Sequence, residues 1–367
     1  MRILQISSAS SFGGGERYVV DLSNSLTERG HDVYVAVRPH SPLTRFLKLS
    51  ANNIKTLPLR NALDPQSARA LARLVSEQRI DVVHAHMARD YSLAAYAARA
   101  NPKPKFVITR HVLFPLSGLH RRTLSRANAV IAVSSAVARQ VSSQRLVPDQ
   151  KIALVPNGID VERFVRASGN FDRAAFLKSM SLPMSCLLVG SIGELRKLKR
   201  HGDLVRAARI VVANKLPDVH FVIAGVDTSP SEENRKELVA LVNEFNMEDR
   251  VHFLGWLDDA EKLLCALDVF VSASETESFG LSIAEAMASG TAVVATRTEG
   301  AQEVVDDEVT GLLVNIGNIE ELSSAIVRLL EDAELRRSMG ERAQVVAETR
   351  FTLGRMVDEI EKVYLDS

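Results

Sequence analysis

The sequence has little cysteine and lacks long apolar runs. Its 367 residues include two cysteines, Cys186 and Cys265, in apolar surroundings and without the spacing of a metal or disulfide framework. No apolar run approaches the ~20 residues that a membrane-spanning helix needs. The N-terminus enters a strand at once, without the pattern of a signal peptide. We therefore expect a protein of the cytoplasm, with a peripheral position at the inner face of a membrane as an alternative.

Net charge is also absent, because 45 Lys and Arg residues balance 45 Asp and Glu residues. Residues 1–165 nevertheless carry 23 basic against 11 acidic side chains, and residues 166–367 carry 22 against 34. The basic half either favours an anionic partner, such as a membrane or a phosphorylated acceptor, or attracts the acidic half. Within it, residues 110–126 mix apolar residues with Arg and His. This mixture is typical of a peripheral membrane contact and equally of an ordinary amphipathic loop and helix.

The composition, with 46% hydrophobic and 25% charged residues, indicates a globular protein, and the length exceeds one ordinary domain. Short apolar runs rich in β-branched residues alternate with helical patterns, which predicts parallel strands covered by helices on both faces. We expect seven strands in the first half and six in the second, with a break at residues 156–170. The predicted fold is α/β, with two doubly wound, Rossmann-like domains that face each other across a cleft.

A nearly uncharged helix is predicted within ETESFGLSIAEAMASG, residues 275–290. Ser278 is its predicted N-cap, and Gly290 lies where a helix ends. Glu285 is the one charge among residues that favour packing on most sides, so we expect it to be partly buried and hydrogen-bonded. A backbone amide or an Arg would satisfy it in a structural role, and the diol of a ribose would do so in a binding role.

Ligands of doubly wound sheets bind beyond the carboxyl ends of the strands, so residues at these ends are the candidates. The first strand ends at Gly13–Gly15 before a helix, where backbone N–H groups can approach an anion or simply form a tight turn. The G-x-G-x-x-G fingerprint is absent, which argues against a nicotinamide dinucleotide. His111 ends another strand. His84 and His86 lie two apart on one strand, but no third ligand is evident and we predict no metal site.

A basic stretch follows the first strand of the second half, at residues 190–203. Its cations are Arg196, Lys197, Lys199 and Arg200. Cations at the carboxyl end of a strand suit a diphosphate, or else form a solvated basic turn. Phe279, Gly280 and Leu281 are expected to form the first turn of the later helix, with their N–H groups directed at a phosphate.

At these positions the chain resembles the retaining glycosyltransferases of family 4, which have the GT-B architecture. The E-x7-E hallmark is present as Glu277 and Glu285 inside ETESFGLSIAEAMASGTAVVAT. Other landmarks follow in the order of the family: GGGERYVVDLSNSLTERGHDV, DVVHAH, TRH, VIAVSS, VPNGID, GELRKLK, FLGWLDDAEKLLCALDVFV and EVVDDEVTGLLV. The resemblance spans nearly the whole chain and rests on this ordered set.

The resemblance implies a role for each candidate residue. Glu277 and His111 would be catalytic, with both approaching the transferred sugar. Glu285 would bind the nucleotide ribose and Trp256 would neighbour the base. The residues implied to bind the donor are Gly14, Gly15, Arg196, Lys199, Trp256, Phe279, Gly280, Leu281 and Glu285. The family also implies an acceptor-side domain over residues 1–163, completed by a crossover helix at about 350–367, and a donor domain over residues 164–349.

One residue departs from the pattern of the family. Glu194 follows Gly193 at a place where the family often has Arg, whereas Lys199 occupies the expected Lys position. We hypothesise that Arg196 supplies the missing cation from a different place. Glu194 leaves open a different donor or a weakened active site.

The implied activity is that of a retaining, metal-independent hexosyltransferase, which needs no cofactor and no nucleic acid. The donor would be a UDP- or GDP-linked sugar. The acceptor would be a hydroxyl of a lipid, lipopolysaccharide or polysaccharide precursor of the cell envelope, and the basic first domain would contact an anionic membrane. The alternatives are a GT-B epimerase and a nucleotide-sugar-binding protein without turnover.

Overall fold

The computed structural model describes residues 1–169, 171–213 and 218–367. These residues form two compact units, one made of Met1–Gly158 with Leu353–Ser367 and the other of Ile159–Thr352. Each unit contains its own parallel sheet and its own apolar core. None of the helices in this described part of the chain combines the length and the apolar character needed to span a bilayer.

The first unit contains a sheet of seven parallel strands in the order β3-β2-β1-β4-β5-β6-β7. Its strands are β1 (Arg2–Ser7), β2 (Asp32–Val37), β3 (Ile54–Thr56), β4 (Val82–Ala85), β5 (Lys105–Arg110), β6 (Ala129–Ala132) and β7 (Ile152–Leu154). Its first five helices are α1 (Gly14–Glu28), α2 (Pro65–Gln78), α3 (Tyr91–Ala97), α4 (Arg121–Leu124) and α5 (Ser135–Ser143). The central strands are buried along nearly their whole length, because helices cover both faces of the sheet.

The second unit contains six parallel strands in the order β10-β9-β8-β11-β12-β13. Its strands are β8 (Leu187–Ile192), β9 (Val219–Ala224), β10 (Val251–Gly255), β11 (Val269–Ser272), β12 (Ala292–Thr296) and β13 (Leu312–Val314). Its helices are α6 (Val161–Gly169), α7 (Arg173–Ser179), α8 (His201–Ala213), α9 (Glu233–Glu244), α10 (Ala260–Ala266), α11 (Leu281–Ala288), α12 (Glu299–Val304), α13 (Ile319–Glu331) and α14 (Ala333–Arg350). The last helix, α15 (Leu353–Asp366), belongs to the first unit.

The strand order reverses between β1 and β4 in the first sheet and between β8 and β11 in the second. In open parallel sheets, ligands bind beyond the carboxyl ends of the strands at such a reversal. In the first unit the residues at these ends include Ser8 and His86, with His111 after the neighbouring strand β5. In the second unit they are the loops 193–200 and 273–280. The topology therefore selects two loop clusters, one on each unit, as candidate sites.

The predicted α/β fold with two doubly wound sheets is confirmed, and so are the seven and six predicted strands. The predicted start of helix α11 is wrong. Ser278 is not the N-cap, because residues 275–280 remain outside the helix and Gly280, at φ +102°, is the N-cap of a helix that begins at Leu281. The predicted end is confirmed, since Gly290 follows the C-cap Ser289 with φ +73°.

Candidate nucleotide-sugar site

Two backbone hydrogen bonds to other segments keep the loop between β11 and α11 out of the helical conformation. The N–H of Glu275 donates to the carbonyl of Leu198 over 2.8 Å, and the N–H of Gly300 donates to the carbonyl of Glu277 over 3.1 Å. A Cβ atom on Gly300 would lie 2.6 Å from both the Glu277 oxygen and the Phe279 nitrogen, so only glycine allows this approach. These contacts explain why Phe279 and Gly280 do not form the predicted first helical turn.

The first of these bonds brings Lys199 to Glu277. The Lys199 ammonium lies 2.5 Å from Glu277 Oε1, and the hydroxyl of Ser274 donates to the same oxygen over 2.7 Å. The side chains of Lys199 and Glu277 are 21% and 12% exposed, so this ion pair is largely shielded from water. Glu277 Oε2 makes no hydrogen bond with the described residues and can accept from a ligand.

The backbone amides of the same loop are also available. Within the described ranges, the N–H groups of Phe279, Gly280 and Leu281 donate to no other residue. The N-terminus of the short helix α11 follows loop 273–280, and Lys199 lies on loop 193–200, which is hydrogen-bonded to it. Donors of this kind stabilise an anion such as a phosphate.

His201 is a residue of this region that the sequence analysis missed. It begins α8, is 4% exposed, and its Nε2 atom finds no hydrogen-bond partner in the described part of the chain. Burial, assisted by the nearby charge of Lys199, lowers the pKa of His201 to about 4, so the ring is neutral. Within a run of Lys and Arg it carried no signal that separated it from a solvated basic turn.

Glu285 lies on α11 and is partly buried, as predicted. The sequence left open whether an Arg lies near Glu285. The structure places the charge of Arg163, which sequence analysis did not single out, close enough to interact with Glu285. Burial lowers the pKa of Arg163, but the hydrogen bond to Glu261 and the negative charges of Glu261 and Glu285 outweigh burial. The pKa of Arg163 is therefore raised above its usual value. Arg163 Nη2 donates to Glu261 over 2.5 Å and to the carbonyl of Asp258 over 3.1 Å.

Trp256 lies near this group of charges. Its indole N–H donates to the Asp258 carboxylate over 2.9 Å, and the residue is 40% exposed. Asp258 therefore links the indole to the guanidinium of Arg163 and hence to the surroundings of Glu285. An exposed aromatic ring at this place suits stacking against the base of a nucleoside.

The four predicted cations of the basic stretch do not act as one cluster. Lys199 contacts Glu277, whereas Arg200 pairs with Asp203, and Lys197 pairs with Glu237 at 3.5 Å with 79% of its side chain exposed. Arg196 lies 3.4 Å from the Glu194 carboxylate, which also accepts a hydrogen bond from Thr228 over 2.5 Å. Glu194, which departs from the family pattern, thus partly neutralises Arg196, the residue hypothesised to supply the missing cation.

In the first unit, the glycines and His111 are brought together. Gly13 is the N-cap of α1, and its N–H donates to the Glu16 carboxylate over 2.9 Å, while Gly14 begins the helix. A Cβ atom on Gly15 would lie 3.6 Å from the ring of His111. The ring of His111 also packs edge-on against Tyr18, with centroids 4.7 Å apart. The start of α1 and the end of β5 therefore form one surface.

His111 contacts a row of two further histidines, His86 and His84, inside the first unit. His111 Nε2 lies 3.3 Å from His86 Nδ1, and the rings of His86 and His84 have centroids 4.2 Å apart. Burial lowers the pKa of His84 and of His111 to about 3 and holds that of His86 well below its usual range, so all three are neutral at physiological pH. Among the described residues, no group of three or more His, Cys, Asp and Glu side chains is arranged to hold a metal ion.

The chain matches two family models that together cover most of its length. A model described as Glycosyltransferase Family 4 matches residues 12–163, and one described as Glycosyl transferases group 1 matches residues 173–346. An N-acetyl-α-D-glucosaminyl L-malate synthase from Bacillus anthracis is 28% identical over 97% of this chain and 94% of its own length. The lipopolysaccharide core biosynthesis glycosyltransferase LpsE of Rhizobium meliloti is 29% identical over 94% of both chains.

Solved structures show the same fold. A glycosyltransferase from Rickettsia africae aligns with a TM-score of 0.87 at 21% identity, over 100% of this chain and 98% of its own. HepE from Anabaena, solved in complex with UDP and glucose, aligns with a TM-score of 0.86 at 23% identity over 100% of both chains. At this level of identity the likeness concerns the architecture of the chain, which is the GT-B fold.

Proposed function

Because the chain belongs to glycosyltransferase family 4, we propose that it transfers a hexose from a UDP- or GDP-linked sugar to an acceptor hydroxyl with retention of the anomeric configuration. The observation that carries the proposal is the shielded ion pair between Lys199 and Glu277 beside the amides of residues 279–281. Such a group offers positive charge to a diphosphate and a carboxylate oxygen to the sugar. The names of relatives and neighbours that use UDP or a UDP-sugar support UDP in particular.

In the proposed reaction the bond between the anomeric carbon and the diphosphate oxygen breaks, and the acceptor oxygen forms the new bond on the same face. Negative charge develops on the leaving diphosphate, where Lys199 and the amides of Gly280 and Leu281 stabilise it. Glu277 positions the sugar through its hydroxyls, and Glu285 binds the ribose. The leaving diphosphate takes the proton of the acceptor hydroxyl. Since the protein itself supplies the positive charge, we propose that the reaction is independent of metal ions.

The activity is tested by the release of nucleoside diphosphate from a panel of UDP- and GDP-hexoses in the presence of a chelator. Lipid and lipopolysaccharide extracts of bacterial envelopes serve as the acceptor source, because one relative is named for lipopolysaccharide core biosynthesis and another for the transfer of galactose to α-D-GlcNAc-diphosphoundecaprenol. We expect release that depends on the extract and a product whose anomeric configuration, read by NMR, equals that of the donor. Release that requires a divalent ion, or an inverted product, contradicts the mechanism.

We also propose that the basic first unit contacts an anionic membrane through the loop that follows β5. Phe114 and Val112 are 55% and 37% exposed, and the exposed Arg121 and Arg122 follow them in the chain. Apolar side chains next to cations favour the surface of an anionic bilayer.

Flotation with liposomes tests this contact. Vesicles with anionic lipid should carry the protein, vesicles of neutral lipid should not, and added salt should release it, because the attraction is electrostatic. Replacing both Arg121 and Arg122 with Glu should abolish flotation. The same charge change at the exposed Arg69 and Arg73 of α2 is the matched control and should retain it. Equal flotation with both kinds of vesicle removes the proposal.

A further inference from the structure

Arg110 is a buried cation of the first unit. It is the last residue of β5 and is 4% exposed. Its Nη2 atom donates to the carbonyl of Phe114, and the hydroxyl of Tyr91 on α3 lies next to the guanidinium. Burial of a charged group is costly unless an opposite charge or hydrogen bonds compensate for it. The partners of Arg110 therefore indicate what the residue does.

No carboxylate compensates for Arg110 in the described part of the chain. Its Nε atom is sealed from solvent without a hydrogen-bond partner, and its Nη1 atom, which is not sealed, also has none among these residues. Asp90 precedes Tyr91, but Oδ2 of Asp90 accepts from the N–H of Ser8 over 2.8 Å and the carboxylate does not pair with Arg110. A guanidinium has five N–H donors, of which Phe114 takes one and the Tyr91 hydroxyl can take another. Most donors of this buried cation are therefore unused.

The chain around Arg110 contains no acidic residue over a long stretch. Residues 91–148, which we call the acid-free segment, include nine Lys and Arg and no Asp or Glu. They form α3, β5, α4, β6 and α5, so the lack of acidic side chains extends over neighbouring elements of the first unit. A region with one sign of charge raises the local concentration of ligands of the opposite sign. The acid-free segment therefore attracts anions to the part of the first unit that contains Arg110.

The loop that follows β5 brings a second nitrogen-containing side chain to this place. Gln144 of the next turn holds the loop, because its amide accepts from the N–H of Leu116 over 3.1 Å and donates to the Leu116 carbonyl over 2.9 Å. His120, near the end of the loop, lies edge-on to Tyr91 with ring centroids 6.3 Å apart, and it is only partly buried. Arg110, Tyr91 and His120, which we call the Arg110 cluster, thus extend from a buried guanidinium to the surface.

We propose that the Arg110 cluster binds an oxyanion group, a phosphate or a carboxylate, that belongs to the acceptor. The planar guanidinium matches either group with paired N–H donors, Tyr91 orients the guanidinium, and His120 adds a ring nitrogen near the surface. All three residues belong to the first unit. The assignment of the anion to the acceptor deepens the proposed function and rests on it, whereas the anion site itself does not.

Nitrogen-15 NMR tests the anion site without donor or acceptor. The Nε–H group of Arg110 is sealed from solvent, so its proton exchanges slowly, and the signal that is missing from an Arg110→Lys variant identifies it. Inorganic phosphate and succinate are added separately, with chloride keeping the ionic strength constant. We expect one of the two to shift this signal of the wild type in a saturable way and thereby to identify the class of the anion. No saturable shift with either anion overturns the proposal.

Thermal unfolding in chloride separates a binding role of Arg110 from a structural one. Arg110→Met should unfold at the wild-type temperature or above it, because an apolar side chain of similar length replaces a buried charge that no carboxylate compensates. A variant that unfolds well below the wild type assigns Arg110 to the loop, through its bond to Phe114, and contradicts the proposal. Flotation with anionic vesicles should be retained, since the membrane contact is assigned to Arg121 and Arg122. Its loss would assign Arg110 to the membrane instead of the acceptor.

Kinetics test the assignment of the anion to the acceptor. With saturating donor, Arg110→Met should raise the KM for the acceptor about tenfold or more and change the KM for the donor less than about twofold. Arg99→Met is the matched control, because it removes an exposed charge from the same acid-free segment, and its acceptor KM should change less than about twofold. Equal acceptor KM values for the two variants contradict the assignment. If no acceptor is glycosylated at all, the proposed function fails, whereas the NMR titration decides the anion site separately.

Discussion

Replacing Lys199 with Met should lower kcat by about a hundredfold or more. The ammonium is the cation that contacts Glu277, and in a shielded site one such group contributes a large part of the stabilisation of a leaving diphosphate. The effect should be on kcat more than on KM, because negative charge increases as the bond to the sugar breaks. Steady-state rates of nucleoside diphosphate release with a saturating donor measure it.

Lys197→Met provides the control within the same turn. The Lys197 side chain is 79% exposed and pairs with Glu237, so its loss should change kcat by less than about twofold. The loss of Lys199 also leaves the largely buried Glu277 without its counter-charge, which should lower the free energy of unfolding by about 1–3 kcal/mol. Adding Glu277→Gln should restore stability but not activity. Equal rates for Lys197→Met and Lys199→Met would remove Lys199 from the mechanism.

Replacing Gly300 with Ala should disrupt the loop that carries Glu277. The new Cβ would lie 2.6 Å from the Glu277 oxygen and from the Phe279 nitrogen, which is closer than real contacts allow. We expect the free energy of unfolding to fall by about 1–3 kcal/mol, and the remaining folded protein to lose most of its affinity for the donor. Denaturant unfolding and donor titration measure the two effects.

Gly169→Ala is the matched substitution for that experiment. Gly169 ends helix α6 of the same unit, and a Cβ atom there would meet nothing within 4 Å. It should leave both stability and donor binding nearly unchanged. If Gly300→Ala behaves in the same way, the close approach of the two backbones does not position Glu277.

The sequence predicts the sheets because their strands are buried on both faces. Runs such as those of β9 and β12 are almost wholly apolar, so the pattern alone separates them from amphipathic helices. The order of elements along the chain then places His111, Lys199 and Glu277 after the carboxyl ends of strands β5, β8 and β11. These features depend on the local composition of the chain and on the order of its elements, and both can be read from a single sequence.

The details of the site depend on contacts between distant segments, which local patterns do not encode. Ser278 has the chemistry of an N-cap, but the bonds made by Glu275 and Gly300 hold the loop extended up to Gly280. In the same way, Tyr364 meets His84 across 280 positions of the chain. His111 could be predicted as a residue at a strand end, but its contact with His86 could not, because only the folded sheet brings the two rings together.

The most direct test of the donor site is thermal unfolding of the protein against UDP, GDP and ADP in the presence of a chelator. A ligand that binds only the folded state at 100 times its Kd adds about 2.7 kcal/mol to its stability. We predict stabilisation by UDP or GDP in the wild type and its loss in Glu285→Ala, because that carboxylate is assigned to the ribose. Stabilisation that persists in Glu285→Ala, or no stabilisation by any of the three, would contradict the assignment of this site.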